Sequence, residues 1–143
     1  MIRHSFYIEQ HKWRMTTFFE ACVDDAGEIL WHLRRLHSPL WVLKESAQNI
    51  MGAKANNGLT YSSERDRETI MVLGKASCGA EFFNSLWHEL KHLEEQTAPL
   101  LGIDPESEEA AYFRGGIARE IFPFISKLLC ECCRKKLGLN SQQ

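Results

Sequence analysis

Residues 2–8 (IRHSFYI) and 13–21 (WRMTTFFEA) are rich in aromatic residues, Thr and Ile, and predict two strands around a turn. The period then changes. In DDAGEILWHLRRLH, Ile29, Leu30, Leu33 and Leu36 recur at helical spacing, with Asp25 and Glu28 placed as a capping box. SPLWVLKESAQNIMG restarts a helix, with Ser38 as N-cap, Pro39 at the first position and Gly52 near the stop. Asn57-Gly58 punctuates the chain. LTYSS and ETIMVLGKA follow as strands joined by a charged turn, Glu64 to Arg67. The continuous apolar run Ile70–Leu73 suits a strand covered on both faces.

From about Ala80 the pattern is helical. AEFFNSLWHELKHLEEQ forms one helix; Pro99, Gly102 and Pro105 interrupt the chain, and Asp104-Pro105 is a start signal for the next helix. That helix runs on through ESEEAAYFRGGIAREIFPFISKLLCECCRKKLG, bent or divided near Pro123. The order predicts an α+β fold, a small mixed or antiparallel sheet packed by helices, with an all-helical C-terminal half.

Length and composition narrow the function classes. At 143 residues the chain is expected to form a single domain, residues 1–143, with one core. A net charge of −2 gives no electrostatic argument for nucleic acid or an anionic membrane. No apolar run approaches the ~20 residues of a membrane span. MIRHSFYIEQHK carries charges and histidines where a signal peptide would be apolar, so the expected location is cytoplasmic. Five cysteines, an odd number, do not suit a disulfide framework. The cluster Cys130, Cys132 and Cys133 lacks the CxxC pairs of structural zinc and reads as reduced thiols on a helix. Arg34, Arg35 and the basic tail Arg134-Lys135-Lys136 read as solvated. His4, His11, His32 and His37 show no ligand spacing.

The stretch that carries chemistry is SLWHELKHLEEQ, residues 85–96. Residues four apart on a helix point the same way within about 40°, so His88 and His92 can offer ring nitrogens to one metal ion. Glu89 lies about 60° from His92 around the axis and can reach a metal-bound water without being a ligand. Phe82, Leu86, Leu90 and Leu93 line one side of this helix, while Asn84, Ser85, His88 and His92 form a polar stripe. A plain amphipathic helix would show the same stripe. Catalytic zinc needs a third protein ligand, and Glu106, Glu108 and Glu109 are the carboxylates available on the next helix.

HELKH followed by SEEAAYFRGG resembles the gluzincin branch of the zinc metallopeptidases, in particular small phage- and mobile-element-type or minimal zincins. The resemblance covers residues 68–120. It implies a zincin-like fold with Zn²⁺ held by His88, His92 and Glu108, and with Glu89 as general base. Ala111 and Tyr112 complete the second motif; Glu109 would replace Glu108 after a one-residue shift in helix phase. It further implies that ETIMVLGKA is the sheet-edge strand that holds an extended peptide by β-augmentation. Tyr112, Arg114 and Arg119 are the candidates for stabilising an oxyanion, with Tyr112 equally suited to steady Glu108. Gly115-Gly116 reads either as a helix break or as close packing against the histidine helix. Two functions follow: a zinc-dependent peptidase acting on a peptide or protein substrate, or a non-catalytic protein-binding module on a zincin-like scaffold.

Overall fold

A computed structural model describes residues 1–51, 58–129 and 131–136. Strand β1 (Ile2–Ile8) turns through a short 3₁₀ segment into β2 (Trp13–Ala21). Helices α1 (Ala26–Arg35) and α2 (Leu40–Met51) lead to strands β3 (Leu59–Ser63) and β4 (Glu68–Gly74). The rest is helical: α3 (Gly79–Leu101), α4 (Glu108–Leu128) and α5 (Glu131–Lys136). The fold is α+β, as the pattern predicts. The four strands lie in the order β1-β2-β4-β3, with β2 parallel to β4 and the outer pairings antiparallel, so the sheet is mixed.

The pleat sorts side chains to two helical layers. Phe18, Ile70 and Val72 point one way and pack on Ile29 and Leu33 of α1 and Val42 of α2. Met15, Phe19, Met71 and Leu73 point the other way, against Leu86 and Leu90 of α3 and Ile117 and Ile121 of α4. This explains the unbroken apolar run in β4, which is covered on both faces and paired on both edges. It also corrects one expectation. ETIMVLGKA is an inner strand, and β3 forms that edge of the sheet.

Several local expectations change. Asp25 does not cap α1; its carboxylate accepts from the Cys22 N–H at 2.9 Å. Ser38 Oγ is buried without a hydrogen-bond partner among the described residues, and α2 starts on the Pro39 carbonyl, bonded by the Leu43 N–H. Arg35 is not simply solvated. It pairs at 2.6 Å with Glu68, a carboxylate buried on the α1 side of the sheet that also accepts from Thr16 Oγ1. Helix α3 runs through Pro99 to Leu101 and ends at Gly102, whose φ of 70° is the left-handed turn that glycine favours. The next helix starts later than Asp104-Pro105 predicts: Ser107 is its N-cap, accepting from the Ala110 N–H. Pro123 lies inside an undivided α4, and the break comes at Leu129. Cys22, Cys78, Cys132 and Cys133 form no disulfide among the described residues; Gly52, Asn57 and Cys130 lie outside the described residues. Among the described residues no helix is long and apolar enough to cross a membrane.

Two predictions follow from this packing. Gly115 and Gly116 sit inside α4 with nothing near the place a Cβ would occupy, so they neither break the helix nor allow a close approach. Gly115→Ala and Gly116→Ala should each stabilise by up to about 1 kcal/mol, read as a higher midpoint in urea. His4 and His32 each hold a buried ring nitrogen with no hydrogen-bond partner among the described residues. Burial lowers the pKa of both below 6.5, with Arg35 and Arg3 adding to the effect at His32 and Glu120 opposing it at His4. Groups depressed in this way take up protons more readily when unfolded. Their contribution is present above pH 6.5 and is lost as pH falls through the folded values. Thermal midpoints should therefore drop as pH falls below 6.5, with a shallower slope in His4→Phe, whose ring would stack on Phe124 as the imidazole does at 4.0 Å.

Candidate functional site

Helix α3 is held by its apolar stripe. Phe82, Leu86, Leu90 and Leu93 are all buried against the sheet and α4, which turns His88 and His92 outward. The helix also passes beside the free edge of β3. Thr60 lies opposite Met71 in the ladder and so projects toward the α3 side of the sheet. Its hydroxyl bonds to Glu89 Oε2 at 2.7 Å.

The two imidazoles converge. His88 Nε2 and His92 Nε2 are 3.0 Å apart, with the rings edge to face. The 3.0 Å spacing is that of a hydrogen bond between the two rings; two nitrogens bound tetrahedrally to one Zn²⁺ would stand about 3.3 Å apart, so a shared ion would replace that hydrogen bond with a small change in spacing. Glu95 Oε2 lies 3.6 Å from His92 Nδ1, at ion-pair range.

Glu89 has a different environment. Only 3% of it is exposed, and burial raises its pKa above 4.5, opposed by the Thr60 hydrogen bond and the two histidines. A proton-accepting carboxylate gains from such a shift toward neutrality. Thr60 engages Oε2, while Oε1 faces Gly58, where a Cβ would collide with the carboxylate. The glycine read from sequence as punctuation is therefore a required close approach.

These groups line a cavity of about 760 Å³. Strand β3 forms one wall, and α3 contributes His88, Glu89, His92 and Gln96. Trp41, Glu45 and Asn49 of α2 close the third side. Sequence reasoning missed Gln96, although it continues the histidine stripe at the next four-residue step. It also missed the α2 residues, whose approach no local pattern encodes.

Glu108 and Tyr112 lie elsewhere. Both line a second cavity of about 730 Å³ against β1, together with Glu109, His11 and Phe113, and Tyr112 is 75% exposed. The reason is the offset between helices. Arg114 of α4 pairs at 2.7 Å with the buried Glu94 of α3, and Gly79 at the start of α3 lies against Leu129 at the end of α4, so the helices run antiparallel. Glu108 lies six residues before Arg114 and His92 two before Glu94, which separates them by about 12 Å along the axes. Arg114 is thereby committed to Glu94, while Arg119 borders the second cavity and an apolar groove beside Trp87. Among the described residues, no three His, Cys, Asp or Glu side chains gather closely enough to hold a metal. The histidine pair could offer two donors to an ion; among the described residues a third protein donor is not assembled beside it.

Gly58→Ala tests the carboxylate's seat. The variant should stay folded, because a side chain rather than backbone must yield, but Glu89 should be displaced from Thr60. Loss of the Thr60 side-chain contact in the NMR spectra of Gly58→Ala, with secondary structure intact by circular dichroism, is the expected result.

Compared with known protein families, curated proteins and solved structures, the chain matches none.

Proposed function

We propose that this chain is a zinc-dependent peptidase of the cytoplasm, acting on extended peptide or protein segments. The observation that carries the reading is the 3.0 Å convergence of His88 and His92 next to a buried Glu89, all beside the free edge of a strand. His88 and His92 would hold Zn²⁺ through their Nε2 atoms. When bound, the ion would supply Lewis acidity, making a water more acidic and a peptide carbonyl more electrophilic. Glu89 Oε1 would take the water's proton and return it to the departing amine, with Thr60 fixing the other oxygen. The main-chain groups on the free edge of β3 would align the substrate as an added strand, largely independent of its sequence. Trp41, which lines the cavity and is 66% exposed overall, would offer apolar surface to the substrate.

A second reading is a non-catalytic protein-binding module on the same scaffold. The placement of Glu108 and Tyr112 in the other cavity favours it.

Untagged protein should carry about one zinc per chain by elemental analysis, lost in His88→Ala and in His92→Ala. The carboxylate whose alanine variant also loses zinc is the third donor. Loss in Glu108→Ala or Glu109→Ala would mean that the first turn of α4 closes toward the histidines in the loaded protein. Loss in Glu45→Ala would assign the role to the carboxylate already lining the cavity. Glu89→Gln should keep zinc and lose casein hydrolysis by about 10²–10⁴-fold. Zinc without hydrolysis in the unsubstituted chain would favour the binding module.

A further inference from the structure

The free edge of β3 is already filled by a side chain. Gln96 Oε1 accepts from the Ser62 N–H at 2.9 Å, and Gln96 Nε2 donates to the Thr60 carbonyl at 3.0 Å. These two backbone groups flank Tyr61 and point away from β4, where a fifth strand would pair. One carboxamide thus supplies the N–H and C=O that a neighbouring strand would offer there.

We infer that Gln96 stands in for a substrate's main-chain groups on the edge of β3, and that an extended peptide binds by displacing it. The inference rests on the peptidase reading for its substrate, while the hydrogen bonds stand apart from it. An empty edge beside a half-buried cavity would leave an N–H and a C=O unpaired, so a stand-in stabilises the free protein. Gln96 has flexible torsions to swing aside, and a peptide strand replaces both of its bonds in kind. Position ties the exchange to the chemistry. Gln96 is one helical turn beyond His92, and Thr60, whose carbonyl it holds, also bonds Glu89. A strand seated on Thr60 and Ser62 would pass directly by the histidine pair.

The test uses the full chain with Glu89→Gln, so that a bound segment is not cleaved, and β-casein, an unfolded protein, as the probe. Gln96→Met keeps the side chain's length and removes both hydrogen bonds; Gln96→Glu keeps the acceptor for Ser62 and removes the donor to Thr60. Hydrogen exchange by NMR should show the Ser62 amide protected with Gln96, unprotected in Gln96→Met, and protected again when casein is added. Casein affinity should rise about tenfold in Gln96→Met, because two hydrogen bonds no longer compete, and less in Gln96→Glu. Unchanged or weaker binding in Gln96→Met would overturn the inference and make Gln96 a permanent cover of the edge. So would a Ser62 amide that stays unprotected at saturating casein, or no casein bound by any variant. Casein bound at β3 with this pattern, yet never cleaved by zinc-loaded protein retaining Glu89, would uphold the displacement and overturn the peptidase reading alone.

Discussion

Glu89 can be held out of water on α3 only because Thr60 donates to one carboxylate oxygen and Gly58 leaves room beside the other. An ionised carboxylate buried without such partners costs several kcal/mol, so this seat fixes how α3 lies against β3. The rest of the site depends on it. With Glu89 inward, the helical repeat turns His88 and His92 toward the cavity, and Gln96, two turns beyond His88, reaches the strand's main chain. Burial raises the proton affinity of the same carboxylate, and the Thr60 hydrogen bond that seats it opposes that shift.

A second buried carboxylate sets the position of α4. Glu94 is buried and pairs across the helices with Arg114 at 2.7 Å, while Lys91 of its own helix lies 3.6 Å from its other oxygen. Because α3 continues nine residues past His92, the loop to α4 begins well beyond the histidines, and the first turn of α4 stays at that far end. The two motifs that read as one metal centre in sequence therefore face two cavities on this scaffold. The sheet's other face repeats the device, with Glu68 between Thr16 and Arg35 holding α1.

Free strand edges invite pairing with other chains, and proteins cover them. Among the described residues, the flexible carboxamide of Gln96, next to the histidines, covers Thr60 and Ser62 of this edge. On the proposed function, protection of the edge and admission of a peptide would be two states of one contact.

Local physics made much of this chain legible from sequence. The strands at residues 2–8 and 13–21, the charged turn before β4 and the histidine helix follow from period, turn chemistry and propensity, which neighbours along the chain decide. The convergence of His88 and His92 was equally local, since a four-residue step fixes it before any tertiary contact forms. Tertiary structure alone decided the rest. Only strand order shows that β3, and not β4, is the edge. Only the Glu94–Arg114 offset decides which cavity Glu108 joins, and only the packing of α2 brings Glu45 and Trp41 opposite the histidines. These outcomes depend on pairings between residues distant in the chain, and a one-dimensional pattern records which faces are apolar without recording which face meets which.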